Sequence, residues 1–346
     1  MTLSLACLKF KQGGGVERYL LDVINGLHQV DITPKFYSTS FNQTLPEYQW
    51  IESRKIDLSW CPKKLRLPFF SRAILKQKAY DEVVVSIQTV RGADILICGG
   101  QHRGYLCALN RKASLMEKFK INNEQKAYDE CKLIVAHSQL MKDELIELYR
   151  IPKNKIIVLY PPANTQKFHT VSSEVRSDLR KKFGFSEQEI IYIFPSTGHY
   201  RKGFDLLKSY FEQTDLPIKL VVAGTPVVES KNIRSLGFCN NMPELYQAGD
   251  FTIMASKYEP FGLVGIESIL CGTPIIFSEN MACTEVFKNN FGYTFMRNDF
   301  HSLDTVLKTS VENRTRIEKP QDALNYDPTL EAHIQSLLNI INQLHQ

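Results

Sequence analysis

Short apolar runs recur along this 346-residue chain with helix-patterned segments between them, and that alternation leaves few folds open. The runs are Leu3 to Leu8, Lys35 to Thr39, Val83 to Ile87, Ile95 to Cys98, Leu133 to Ala136 and Ile156 to Leu159 in the first half. In the second they are Ile190 to Phe194, Leu220 to Ala223, Phe251 to Ala255 and Ile275 to Phe277. A strand followed by a helix returns the next strand parallel to the first, so the pattern predicts two parallel-sheet α/β domains. Between the halves, YPPANTQKFH sets Pro161 and Pro162 against a polar run, which reads as a linker at 160 to 172. The expected domains are 1–165 and 166–326, with a last helical segment, 327–346, starting at Pro328 and carrying Leu330, Ile334, Leu337, Leu338, Ile340, Ile341 and Leu344.

Composition narrows the function. A hydrophobic content of 43% supports a globular core of ordinary size. The opening MTLSLACLKF lacks the basic start of a signal peptide, and no apolar run reaches membrane-spanning length, so a cytoplasmic protein is expected. The eight cysteines form no C-x-x-C pair and read as reduced thiols, and no metal site or cofactor is expected. Charge is divided unevenly: residues 1 to 160 carry a net +8 and the remainder −3. The excess is densest where Lys63, Lys64, Arg66, Arg72, Lys76 and Lys78 interleave with Trp60, Leu65, Leu67, Phe69, Phe70, Ile74 and Leu75. Two readings stand, an interfacial segment meeting an anionic membrane or glycolipid and a solvated helix with an ordinary core face. Nucleic acid is not expected as a partner, since no recognisable module surrounds the patch and the whole-chain charge is +5.

The densest chemistry lies in EPFGLVGIESILCGTPIIFS, residues 259 to 278, where Glu259 and Glu267 flank a Pro-Phe-Gly turn. Pro260 forbids helix behind it and Gly262 permits a tight turn, so a helix is expected from Leu263 with unpaired N–H groups facing back toward Glu259. Such a helix end suits an anion, and the two carboxylates suit hydroxyl groups of a sugar and a ribose. Arg201 and Lys202 precede Gly203 between a strand and a helix, where two cations can clamp a diphosphate; the rival reading is a solvated basic turn. Gly13-Gly14-Gly15 opens another helix after the first strand, either as a phosphate-approach loop or simply as a turn. In DILICGGQHRGYL a strand end delivers His102 and Arg103, with a structural and a substrate-touching role both open for His102. Arg103 suits an acceptor phosphate.

These segments together resemble glycosyltransferase family 4, retaining enzymes of the two-domain GT-B fold. MPELYQAGDFTIMASKYEPFG resembles the family's helix, Ala-x-Asp and strand ending in Ser, here Ala248, Asp250 and Ser256. FPSTGHYRKGFDLL resembles the first strand and basic pair of the family's second domain, VVAGTP the next strand, and GGGVERYLLDVINGL the glycine loop and first helix of its acceptor domain. The resemblance implies two Rossmann-like domains facing a cleft, an acceptor-binding first and a nucleotide-sugar-binding second, with the C-terminal helix crossing back to the first. It further implies Gly14, Gly15, Phe261, Gly262, Leu263 and Glu267 as donor-binding residues, Phe238 in SLGFCNN beside the nucleobase, and Glu259, Arg201, Lys202 and His102 as catalytic ones. No Asp-x-Asp occurs, so Arg201 and Lys202 are expected to take the place of a metal.

The resulting expectation is a retaining, metal-independent hexosyltransferase on the cytoplasmic face of the inner membrane. It would use UDP-glucose or a similar UDP-hexose and an anionic glycolipid or polysaccharide acceptor, with lipopolysaccharide inner core favoured by resemblance to bacterial core transferases. Lys63, Lys64, Arg66 and Arg103 are the expected acceptor or membrane contacts. A nucleotide-sugar 2-epimerase and a catalytically silent scaffold on the same fold are the alternatives.

Overall fold

The computed structural model describes residues 2–288 and 291–344. Met1, which begins the first expected domain, and His345 and Gln346, which end the last segment, fall outside the described residues. The chain divides into two compact units, Met1–Pro162 with Thr329–Gln346, and Ala163–Pro328.

The first unit holds a seven-stranded, wholly parallel sheet of β1 (Thr2–Ala6), β2 (Lys35–Ser38), β3 (Glu52–Lys55), β4 (Glu82–Ser86), β5 (Ile95–Cys98), β6 (Leu133–Ala136) and β7 (Ile156–Val158), in the order β3-β2-β1-β4-β5-β6-β7. The second holds β8 (Ile190–Ser196), β9 (Ile218–Gly224), β10 (Ile233–Gly237), β11 (Phe251–Met254), β12 (Ile275–Ser278) and β13 (Gly292–Phe295), also parallel, in the order β10-β9-β8-β11-β12-β13. Both sheets are doubly wound. Strand order reverses beside β1 in one and beside β8 in the other, and loops leaving the carboxyl ends at such a point are where open α/β sheets take ligands. The central strands are buried along their whole length, as β4, β5, β6 and β8 show, which is why they read as continuous apolar runs.

Three strands had no counterpart among the apolar runs. β3, Glu-Ser-Arg-Lys, is exposed at every position on the edge of its sheet; β10 and β13 are edge strands too, each with one fully buried residue. An edge strand needs apolar side chains on at most one face, and charge there discourages pairing with other chains.

The C-terminal helix Leu330–Gln343, capped by the Thr329 hydroxyl, belongs to the first unit and packs on helix Gly15–Gln29. A Cβ on Gly26 would lie 2.4 Å from Ile334 Cγ1, so glycine is what lets the two helices approach. His333 fixes the pairing: its Nε2 lies 2.8 Å from the Tyr19 hydroxyl and its Nδ1 2.9 Å from the Tyr160 carbonyl. Ile334, Leu337, Ile340 and Ile341 complete a core shared with β1, β4, β5 and β6.

Candidate active site

In the second unit the strands flanking the reversal, β8 and β11, send their following loops to the same place. Ser196 ends β8, and the short helix His199–Lys202 follows it. The Ser196 hydroxyl meets His199 Nδ1 at 2.8 Å and His199 Nε2 lies 3.0 Å from the Thr225 carbonyl, so a histidine that the sequence reading passed over anchors this turn between β8 and β9. Gly203 ends the helix at φ +78°, and a Cβ there would stand 1.8 Å from the Ala255 carbonyl oxygen. Only glycine lets the basic turn lie against the loop after β11. The Lys257 N–H donates to the Arg201 carbonyl at 2.8 Å and closes the contact.

That loop carries Glu259. Arg201 Nη1 donates to Glu259 Oε2 at 2.5 Å and to the Tyr258 carbonyl at 2.9 Å, making a half-buried ion pair. No partner among the described residues takes Arg201 Nη2 or Nε. The Lys202 ammonium donates to the Pro195 carbonyl at 2.8 Å. Burial lowers its pKa, Arg201 pushes the same way, and Glu259 and Glu267 oppose. Two cations and two carboxylates thus share one electrostatic site.

The acidic turn is stapled from its other side. Glu259 N–H donates to Asn280, Ala282 N–H to Glu259 and Cys283 N–H to Phe261, at 3.1, 3.1 and 2.8 Å. Gly262, at φ +98°, is packed so closely that a Cβ would meet Met281 at 2.9 Å and Glu259 at 3.1 Å. Helix Leu263–Leu270 begins there without a side-chain cap, its Gly265 N–H donating to the Gly262 carbonyl at 2.9 Å, and an uncapped helix start of this kind suits an anion. Leu263 is half-buried, and Phe261 and Glu267 are buried. Asp250 of the Ala-x-Asp motif has structural work: it accepts from Arg176 at 2.7 Å, Arg180 at 3.1 Å and the Ile191 N–H at 2.8 Å. Phe238 follows β10 with 72% of its surface exposed, and the structure gives it no contact with the other four groups.

In the first unit Gly14 caps helix Gly15–Gln29 with no side chain, and a Cβ on Gly15 would meet nothing within 4 Å, so the loop is open to solvent. His102 opens helix His102–Ala108 after β5, with Nδ1 3.2 Å from Glu124 Oε1 and Nε2 3.2 Å from Lys120 Nζ. Arg103 is taken up locally: its guanidinium lies 4.6 Å from the Tyr149 ring centroid and donates to the Leu148 carbonyl. Lys63 and Lys64 are exposed, while Arg66 donates to the Cys61 carbonyl at 3.1 Å. Trp60 and Phe69 meet edge to face on the surface at 5.1 Å, but Phe70 is wholly buried, so helix Arg66–Gln77 also has an ordinary core face. No helix among the described residues is long and apolar enough to cross a membrane.

Comparison with known proteins gives the family and the fold. Residues 13–167 match the model of Glycosyltransferase Family 4, and residues 175–326 that of Glycosyl transferases group 1. The chain is 36% identical over 350 residues to a probable transglycosylase of Burkholderia thailandensis, covering 98% of this chain and 96% of the relative. Among solved structures, WaaG, a glycosyltransferase involved in lipopolysaccharide biosynthesis, superposes with TM-score 0.77 at 16% identity over 98% of this chain and 99% of its own. Anabaena HepE in complex with UDP superposes with TM-score 0.76 at 15% identity over 99% and 100%. The chain therefore belongs to the GT-B glycosyltransferases that join a family 4 amino-terminal half to a group 1 carboxy-terminal half.

Proposed function

We propose that this protein transfers a hexose from a nucleotide diphosphate sugar to a glycolipid or polysaccharide acceptor with retention at the anomeric carbon. The observation that carries the reading is the Arg201–Glu259 pair, set beside Lys202 and the uncapped start of helix Leu263–Leu270. As the bond from the anomeric carbon to the diphosphate breaks, Arg201, Lys202 and the helix end take up the leaving charge. The acceptor oxygen bonds to that carbon from the same face, and its proton passes to the departing phosphate oxygen. Glu259 orients Arg201 and holds sugar hydroxyls, Glu267 holds ribose hydroxyls, and His102 meets a substrate hydroxyl through its outer ring nitrogen.

UDP-glucose or a related UDP-hexose is the favoured donor; HepE, of the same fold, is known in complex with UDP-glucose. A lipopolysaccharide inner-core acceptor at the cytoplasmic face of the inner membrane is favoured by the basic first half and by the likeness of fold to WaaG. Labelled UDP-glucose, GDP-mannose and ADP-glucose offered with a lipid extract test the reading. Wild type should move label from the UDP sugar into the lipid fraction, and Glu259→Ala should do so on the order of a hundredfold more slowly. Equal turnover by the two proteins, or an epimerised donor with no labelled lipid, would overturn it.

A further inference from the structure

We propose that Glu124 is a positioning residue that holds the His102 ring in one tautomer, proton on Nδ1, so that Nε2 faces outward as a hydrogen-bond acceptor for substrate. The inference rests on the proposed role of His102 and adds a residue and a device to it. Glu124 lies on helix Leu115–Glu130, and its side chain is 8% exposed. Oε1 stands 3.2 Å from His102 Nδ1. Oε2 receives two donors, the Tyr149 hydroxyl at 2.5 Å and the His102 N–H at 3.3 Å, and the Arg103 N–H in turn donates to the Tyr149 oxygen at 3.2 Å. Burial and the neighbouring carboxylate push the Tyr149 pKa up, so the phenol keeps its proton and donates.

The opposite face of the ring gives the same answer independently. Lys120 Nζ lies 3.2 Å from His102 Nε2, one helical turn before Glu124 on the same face. An ammonium only donates, so Nε2 carries the lone pair and the neutral ring has its proton on Nδ1, the nitrogen that the Glu124 carboxylate faces at ion-pair distance. The lysine is exposed, and a substrate hydroxyl can take its place on Nε2 while the ammonium returns to water. Glu124 cannot exchange in this way, because its other oxygen is committed to the Tyr149 hydroxyl and to the start of helix His102–Ala108.

A purely structural role for Glu124 makes a different prediction, and Glu124→Gln separates the two. Because two donors converge on Oε2, the glutamine must set its oxygen there and its NH2 against Nδ1. Helix start and Tyr149 contact survive, but the ring is driven to the Nε2–H form and becomes a donor toward substrate. Nitrogen chemical shifts of the His102 ring, assigned with His102→Gln, should show Nδ1–H in wild type and Nε2–H in Glu124→Gln. In the variant kcat should fall about tenfold or more, with the donor KM within about twofold of wild type. An Nε2–H ring in wild type, or wild-type kcat in a folded Glu124→Gln, would overturn the proposal, and the wild-type measurement stands even if the variant does not fold. Wild-type turnover by His102→Ala would instead remove the substrate role of His102 and leave the tautomer assignment in place.

Discussion

Gly203 shows how far single residues of this site could be read in advance. Its place after Arg-Lys marked the end of a basic turn, but nothing local told that the Ala255 carbonyl, more than fifty positions on, presses where a side chain would be. Gly203→Ala forces both a left-handed backbone on alanine and a clash with main chain, and a main-chain oxygen cannot swing aside as a side chain would. It should cost about 3 kcal/mol of stability, read as the urea midpoint, and lower turnover by displacing Arg201 and Lys202. A variant with wild-type midpoint and rate would mean that the turn is not held by this contact. The paired glutamates and the Arg-Lys dipeptide were legible because charge, proline and glycine act through their immediate neighbours. The stapling by residues 280–283, the anchoring by His199 and the carboxylate behind His102 were not, since each partner arrives from another element.

At the scale of elements, the C-terminal helix was visible as an apolar periodicity, and the structure adds how it is fastened. His333 offers a proton to one carbonyl and a lone pair to one hydroxyl, an arrangement open only to the neutral ring. Burial depresses its pKa to about 4, against an ordinary value of 6.5, with the Tyr160 carbonyl opposing; burial takes His137, 4.6 Å from Tyr19 ring to ring, down to about 3. The unfolded chain therefore binds protons that the folded one refuses. Their contribution is complete above about pH 6.5 and drains away as pH falls toward 4, on the order of 2 kcal/mol from His333 alone between pH 7 and pH 5. Urea midpoints at the two pH values should separate steeply in wild type and less in His333→Gln, whose amide keeps one donor and one acceptor. Equal separation would show that the ring is not held neutral. Central strands were legible for the reason edge strands were not: burial on both faces writes an unbroken apolar run, whereas Glu52 to Lys55 bury nothing.

For the whole molecule, the sequence told the architecture but not which groups of a mixed segment face outward. The +8 charge of residues 1 to 160 fits a protein that works against an anionic surface. In the structure Trp60, Lys63, Lys64, Leu65, Phe69, Arg72, Leu75 and Lys76 are exposed, while Phe70 and Ile74 are withdrawn to the core. Replacing Lys63, Lys64 and Arg66 together by glutamate should weaken sedimentation with phosphatidylglycerol vesicles by about a hundredfold while leaving that with phosphatidylcholine unchanged. Undiminished sedimentation of the triple variant would exclude this face as the membrane contact.

Three main-chain bonds tie the turn bearing Glu259 to the stretch after β12, and they ignore side-chain identity. Anyone transplanting the acidic turn into a related enzyme to change its donor would have to carry residues 280 to 283 along with it. Moved alone, the glutamate would arrive without the scaffold that aims it.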